Sequence, residues 1–179
     1  MDILLIVDMQ ESPFSKPDKY DSDAVISRIN RLAEHVRKNG GQVIFIQHDG
    51  TKEEGLFPST PGWEILSTMT RYDADIVIRK TTNDGFYNTH LQDYMVEKDT
   101  DTVFVVGWAT DFCVDTTIRS AISHGYKITV IADAHTLSDR PHLPAQKIIE
   151  HHNWVWGNMI APRGSVKVIT LNTLLNCIP

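Results

Sequence analysis

The sequence predicts an α/β fold, a three-layer sandwich in which helices cover both faces of a six-stranded, mostly parallel sheet. Two observations predict it. Short β-branched segments alternate along the chain with longer segments of helical periodicity. The short segments are apolar at almost every position, which is typical of strands buried on both faces, as in a parallel sheet. A length of 179 residues suits one unit, so we expect residues 1–179 to form a single domain.

Six segments are predicted to be strands, because each is short, apolar and rich in β-branched residues. In chain order they are Ile3–Val7, Gln42–Gln47, Asp75–Arg79, Thr102–Val106, Lys127–Ile131 and Val166–Thr170. Between the second and third strands, residues 47–62 are rich in Gly, Pro, Ser, Thr and charge. We therefore expect a long loop there, over the carboxyl edge of the sheet, where such loops usually serve a site.

The helices are predicted from apolar residues that recur every three or four positions. The clearest is Asp23–Lys38, which ends at Asn39-Gly40-Gly41, a sequence typical of helix C-termini. A second, Val114–His124, ends at Gly125 in the same way. The remaining predicted helices are Leu91–Val96, Pro144–His152 and a short terminal turn at Asn172–Leu175.

Composition favours a small-molecule partner. The formal net charge is −6 and the chain has no basic tract, which argues against nucleic acid or an anionic membrane surface as the main partner. The apolar runs are far shorter than the ~20 residues of a membrane helix. Two cysteines far apart suit a reducing compartment, and no basic leader precedes the first strand, so we expect a cytoplasmic protein. No glycine-rich phosphate loop or metal-ligand spacing occurs, so no cofactor and no metal are predicted.

Polar side chains are concentrated where the predicted strands end. Ligands of open α/β sheets bind at the carboxyl ends of the strands, so this edge is the predicted site. These polar residues include a nucleophile, a cation, carboxylates and two histidines. So many at one edge are not needed for stability alone, so they indicate an enzyme. They are Asp8, His48, Asp49, Lys80, Thr110, Asp111, Cys113, Asp133 and His135.

Cys113 is the predicted nucleophile. With Thr110 or Asp111 as N-cap, it would lie in the first turn of a helix, where the helix dipole and free N–H groups favour a thiolate. Lys80 would lower the pKa of the thiol further, and Asp8 could accept its proton. The alternative is that Cys113 is a small core residue and Lys80 an ordinary surface cation. Cys177, near the end of the chain, is interpreted as a packing or surface residue.

The histidines leave a rival interpretation open. His48 or His135 could pair with the cysteine, as in other thiol enzymes, although each is more often a loop or pocket-lining residue. Aromatic residues near the carboxyl edge predict an aromatic pocket in which two or three rings contact the substrate. These residues are Phe14, Trp63, Phe86, Tyr87, Trp108, Phe112 and Trp156. Trp154 and Trp156 are interpreted as a subunit contact, with packing inside the chain as the alternative.

Three motifs in order resemble the isochorismatase-like cysteine hydrolases, a group that includes nicotinamidases, N-carbamoylsarcosine amidohydrolases and ureidoacrylate hydrolases. The motifs are LLIVDMQ at 4–10, RKTTNDGFYNT at 79–89 and GWATDFCVDTTIRSA at 107–121. The resemblance extends through ADAHTLSDRPH at 132–142 and so covers nearly the whole chain. It implies a catalytic triad of Asp8, Lys80 and Cys113 on a central six-stranded parallel sheet.

The resemblance also implies finer features. A cis peptide would join Trp108 to Ala109, and the backbone N–H groups of Ala109 and Cys113 would form the oxyanion hole. Relatives in this group are commonly dimers or tetramers, so a homodimer or homotetramer is implied. The metal-binding Asp-x-His pattern of nicotinamidases is replaced by Gln47-His48-Asp49-Gly50, so neither a metal nor nicotinamide is implied.

The predicted activity is cysteine-dependent hydrolysis of a C–N bond, amide or ureido, through a thioester on Cys113. The substrate-binding residues are predicted to be Gln10, Phe14, Phe86, Trp108, Phe112 and His135. One alternative is an isochorismatase-type vinyl ether or ester hydrolase in which Asp8 is the acid and base. The other is a non-catalytic scaffold protein with an unreactive thiol.

Overall fold

The computed structural model describes residues 1–176, and the predicted three-layer α/β architecture is confirmed. Cys177 lies outside the described residues. The strands are β1 (Ile3–Val7), β2 (Gln42–His48), β3 (Ile76–Lys80), β4 (Thr102–Trp108), β5 (Lys127–Thr136), β6 (Ile160–Ala161), β7 (Gly164–Ser165) and β8 (Lys167–Ile169). Six of them form one parallel sheet in the order β3-β2-β1-β4-β5-β8. The pair β6–β7 is a separate antiparallel hairpin that the sequence did not predict.

The helices are α1 (Glu11–Phe14), α2 (Ser22–Lys38), α3 (Leu91–Glu97), α4 (Asp115–Ser123), α5 (Ala145–Gly157) and α6 (Leu171–Asn176). A π-helical turn, Thr110–Val114, precedes α4. Among residues 1–176, no helix combines the length and the apolar character that crossing a membrane requires.

The two faces of the sheet carry separate apolar cores, because side chains along a strand alternate in direction. In β1, Ile3, Leu5 and Val7 pack against α3 and α4, whereas Leu4 and Ile6 pack against α2. All five β1 residues are fully buried, as expected for a central strand covered on both faces.

Trp156 corrects the predicted subunit contact. The helix α5 runs to Gly157, five residues beyond the predicted end, and carries both tryptophans. Trp156 is fully buried within the chain, and its indole N–H donates to the Asp115 carboxylate at 2.8 Å. Trp154 is 67% exposed. Of the two tryptophans, only Trp154 is therefore available for a subunit contact, and that contact stays a prediction.

The strand order places a topological switch point between β1 and β4. The chain winds outward from β1 through β2 to β3, then returns to the other side of β1 with β4. Ligands of open α/β sheets bind in the crevice where the winding reverses, at the carboxyl ends of the strands. Asp8 follows β1 and Cys113 follows β4, so both lie at this crevice.

Gly107 brings the end of β4 directly against β1. Its φ is 122°, and a Cβ atom there would lie 2.2 Å from the carbonyl oxygen of Val7. Only glycine permits both the dihedral angle and this approach of two backbones. The strands that carry the candidate acid and the candidate nucleophile are therefore in backbone contact just below the site.

Candidate active site

Asp8 is held by the backbone at the end of β1. Its φ is 51°, in the left-handed region that Asp adopts more readily than most residues, and its N–H donates to the Ile46 carbonyl at 2.9 Å. This turn directs the carboxylate into the interior, where the residue is 1% exposed. Oδ2 accepts a hydrogen bond from Lys80, whereas Oδ1 is buried without a partner in the described chain.

Lys80 closes β3, and its side chain is fully buried. The ammonium Nζ donates to Asp8 Oδ2 at 2.8 Å, to the Thr82 carbonyl at 2.9 Å and to Cys113 Sγ at 3.3 Å. It also lies 3.4 Å from Nδ1 of His48. A buried lysine is tolerated only when its charge is paired and its donors are satisfied, which these contacts achieve. The interpretation of Lys80 as a surface cation is therefore wrong.

Cys113 lies in the π-helical turn Thr110–Val114, and not in the first turn of an α-helix. The N-terminal flanking residue of this turn is Ala109, and no side chain caps it, so the predicted capping by Thr110 or Asp111 is wrong. The N–H groups of Phe112 and Val114 both donate to the Ala109 carbonyl at 3.1 Å. The peptide bond between Trp108 and Ala109 is cis.

The Cys113 thiol is less acidic than the sequence predicted. Burial is the main cause, followed by the negative charge of Asp8; together they raise the pKa of Cys113 to about 12, and the Lys80 ammonium offsets only part of this. The prediction of a lowered thiol pKa considered Lys80 and the helix terminus without desolvation. The sulfur therefore rests protonated, and it would have to lose this proton to act as a nucleophile.

His135 contacts the π-helical turn Thr110–Val114 from the interior. It is 1% exposed, its Nδ1 lies 2.9 Å from Thr110 Oγ1, and its Nε2 lies 3.1 Å from Asn153 Oδ1. The Asn153 amide donates its N–H to the Ala132 carbonyl, so its oxygen accepts from His135 Nε2–H and Nδ1 accepts from the Thr110 hydroxyl. Burial lowers the pKa of His135 to about 4, which keeps the ring neutral. Among residues 1–176, neither histidine ring forms a hydrogen bond with Cys113: the His48 ring lies against Lys80, and the His135 ring contacts Thr110 and Asn153.

A cavity of about 440 Å³ opens above the sulfur. Asp8, Ala109 and Cys113 lie at its buried end, and Trp108 and Phe112 are the aromatic rings that line it. A larger and more open groove of about 810 Å³ lies beside it and shares only Ser12, but it contains none of the three candidate catalytic residues. Size alone would select the groove, but Asp8 and Cys113 line the smaller cavity.

Four residues predicted to bind substrate do not line this cavity. Phe14 and Phe86 pack against the two apolar cores, and His135 is buried beneath the turn. Gln10 is fully buried and ties the ends of the strands together, since its amide bonds the backbone of His48 and the Trp63 carbonyl. These side chains face the interior because each has a structural partner there, which spacing along the sequence does not reveal.

Sequence reasoning missed several residues of the cavity wall. These are Ser12, Pro13, Glu54, Leu56 and Asn83. Asn83 Oδ1 lies 3.5 Å from Cys113 Sγ. The sequence could have indicated this residue as part of the cavity, because it follows Lys80 by only three positions. The others come from α1 and from the loop after β2, where no periodic pattern indicates which side chains turn inward. Within residues 1–176, no group of three or more His, Cys, Asp or Glu side chains is arranged to hold a metal ion.

A buried Asp–Lys–Cys cluster at the switch point of a parallel sheet, below a small cavity, defines a class of candidate thiol enzymes. Residues 2–161 match the family model described as the Isochorismatase domain, and the chain belongs to the isochorismatase family. It is 32% identical over 142 residues to streptothricin hydrolase of Streptomyces noursei, covering 79% of this chain and 56% of that protein. The match therefore spans little more than half the length of that relative.

Two further comparisons extend this result. The chain is 27% identical over 169 residues to the ureidoacrylate amidohydrolase RutB of Methylorubrum extorquens, covering 74% of this chain and 68% of that protein. A crystal structure of an isochorismatase family protein superposes with a TM-score of 0.84 at 30% identity, covering 94% of this chain and 98% of the other. Fold and sequence thus agree on the family.

Proposed function

We propose that this chain is a cysteine-dependent hydrolase that cleaves an amide or ureido C–N bond of a small molecule. The observation that carries the proposal is that one buried ammonium contacts both the candidate acid and the candidate nucleophile. Lys80 Nζ lies 2.8 Å from Asp8 Oδ2 and 3.3 Å from Cys113 Sγ. Two relatives are named as a hydrolase and an amidohydrolase, which supports the same class of reaction.

In the first half-reaction, Asp8 takes the thiol proton while the sulfur attacks the carbonyl carbon. Oδ1 has no partner in the described residues, so it can accept this proton while Oδ2 stays bound to Lys80. The ammonium, 3.3 Å from the sulfur, stabilises the negative charge as it forms. This coupling is needed because a thiol with a pKa of about 12 supplies almost no thiolate at neutral pH.

The carbonyl electrons move to the oxygen, and the resulting oxyanion binds the N–H groups of Ala109 and Cys113. The N–H groups of Phe112 and Val114 are already committed to the Ala109 carbonyl, whereas Ala109 and Cys113 line the cavity. When the C–N bond breaks, Asp8 returns its proton to the departing amine and a thioester remains on Cys113. Asp8 then takes a proton from the water that attacks the thioester. When the C–S bond breaks, the acid is released and Asp8 returns this proton to the sulfur, which restores the free thiol.

The test is ammonia release from a panel of primary amides and ureido compounds, with mass spectrometry of the quenched enzyme. We expect an acyl adduct on Cys113 and a loss of at least about a thousandfold in kcat for Cys113→Ala. The matched control is Cys177→Ala, which changes the other cysteine of the chain and should keep wild-type activity. Full activity of Cys113→Ala would end the proposal, and turnover of a vinyl ether that does not need Cys113 would favour the alternative chemistry.

Location and assembly remain predictions. A reducing compartment such as the cytoplasm suits a catalytic thiol, because oxidation would block the nucleophile. A homodimer or homotetramer is implied by the family resemblance, and Trp154 offers one exposed ring for such a contact. Sedimentation analysis of the wild type and Trp154→Glu would test it.

A further inference from the structure

Glu54 places a carboxylate at the mouth of the active-site cavity. Its Oε2 accepts a hydrogen bond from the Thr51 N–H at 2.7 Å, and its own N–H donates to Thr51 Oγ1 at 3.2 Å. The Ser12 hydroxyl, on the next wall of the cavity, donates to the Glu54 carbonyl at 2.9 Å. These bonds fix the segment and leave Oε1 without a hydrogen-bond partner in the described part of the chain.

The backbone next to Glu54 is closely packed. A Cβ atom on Gly55 would lie 2.5 Å from Ser12 Oγ, and one on Gly62 would lie 2.4 Å from the Gly55 carbonyl. The loop is therefore in close contact with α1 at the residue after Glu54. This packing keeps the backbone that carries the carboxylate beside the cavity.

Within residues 1–176, no lysine, arginine or histidine forms a salt bridge with Glu54, and the cations at the ends of the strands pair with other carboxylates. Lys80 pairs with Asp8, Arg79 with Asp49, and Arg140 with Asp111. The hydrogen bonds from Thr51 lower the pKa of Glu54, so the group is anionic at neutral pH.

His48 does not neutralise the carboxylate either. Burial, followed by the charge of Lys80, lowers the pKa of His48, so the ring is neutral at neutral pH. Because the Asp8–Lys80 pair cancels its own charge, the cavity wall carries one uncompensated negative charge, at Glu54.

We propose that Glu54 is a specificity-determining residue that selects substrates bearing a cationic group, a primary ammonium or a guanidinium, and disfavours those bearing a carboxylate. The proposal rests on the proposed function, because it places the scissile carbonyl at Cys113 and the cation at the mouth. An amine donor can bond Oε1, whereas a carboxylate finds no free cation among the described lining residues. The same charge would disfavour an acidic ureido substrate in this chain.

Charge selection can be measured on the sulfur without any turnover. The test uses three methanethiosulfonates, aminoethyl, propyl and sulfonatoethyl, which are cationic, neutral and anionic; propyl is the uncharged isostere of aminoethyl. Rates of Cys113 modification are measured in a Cys177→Ser background. Each rate is divided by the rate at which the same reagent reacts with free 2-mercaptoethanol, which removes differences in intrinsic reactivity. We expect a cation-to-anion ratio well above one, which falls about fivefold in Glu54→Gln, the size of an exposed charge contact of about 1 kcal/mol.

The controls separate Glu54 from general electrostatics. Glutamine keeps the acceptor oxygen for the Thr51 N–H, so Glu54→Gln removes charge without removing that bond. Glu53→Gln makes the same change in net charge on an exposed neighbour that does not line the cavity, and it should leave the ratio unchanged. The ratio should also fall between about 0.01 M and about 1 M salt, because the screening length shortens from about 30 to about 3 Å.

In the labelling experiment, two outcomes overturn the assignment: a normalised wild-type ratio of one, or a ratio that Glu54→Gln and Glu53→Gln change equally. In turnover assays, hydrolysis of hexanamide as fast as its isostere 5-aminopentanamide would also overturn it. Preference for the anionic glutaramate would do the same. Absence of amide turnover together with the expected labelling ratio would count against the hydrolase proposal alone.

Discussion

Replacing Lys80 with methionine should destabilise the fold far more than the loss of an ordinary lysine. Methionine keeps the unbranched shape of the side chain but leaves the Asp8 carboxylate buried without its partner at 2.8 Å. The other oxygen of that carboxylate already has no partner in the described chain, so no second bond compensates. Removing one member of a buried ion pair costs about 3–5 kcal/mol in the free energy of unfolding.

A double variant tests whether the unpaired charge is the cause. Adding Asp8→Asn to Lys80→Met removes the orphaned charge, so the double variant should recover about 2 kcal/mol of the loss. The assay is urea unfolding followed by tryptophan fluorescence and circular dichroism, with linear extrapolation. Arg79→Met is the matched control: its 2.7 Å pair with Asp49 lies at the surface, so it should cost at most about 1 kcal/mol. A cost of Lys80→Met no greater than that of the control would refute the reasoning, and so would simple additivity in the double variant.

Two predictions concern pH. Because the pKa of Cys113 is raised to about 12, alkylation by iodoacetamide in a Cys177→Ser background should rise about tenfold per pH unit from pH 7 to 10; a plateau near pH 8 would contradict the buried thiol. His135 has its pKa lowered from 6.5 to about 4, so between these values the unfolded chain binds a proton that the folded chain does not. The free energy of unfolding should therefore decrease by up to about 3 kcal/mol as the pH falls through this window, with full stability from His135 only above pH 6.5. The free energy of unfolding, measured by urea titration at each pH, should fall more steeply with decreasing pH in the wild type than in His135→Gln. Parallel plots against pH would show that His135 does not titrate as described.

The sheet could be predicted from the sequence because its central strands, β1, β2 and β4, are apolar on both faces, a pattern that burial sets. Boundaries differed where the pattern was interrupted. β5 was predicted to end at Ile131 but continues to Thr136, because a register shift against β4 lets Gly107 and Trp108 pair with His135 and Thr136. Asp133 and His135 are therefore part of a strand, and not residues that follow it.

The site was predictable to the extent that strand order determines it. Parallel strands deliver Asp8, Lys80 and Cys113 to one edge, so topology brings them together whatever the loops do. The protonation state of the Cys113 sulfur was not predictable, since its desolvation depends on every group packed around it. The cavity wall was not predictable either, because Glu54 and Leu56 lie in an irregular loop whose inward residues follow no period.

The backbone contact between Gly107 and Val7 limits where this fold can vary without moving the candidate site. The spacing of the acid and the sulfur is set by two main chains in van der Waals contact, and both strands belong to the buried centre of the sheet. Residues 49–75, which furnish Glu54, contain no regular helix or strand. Substitutions or insertions in that stretch can therefore reshape the cavity wall while Asp8 and Cys113 keep their places.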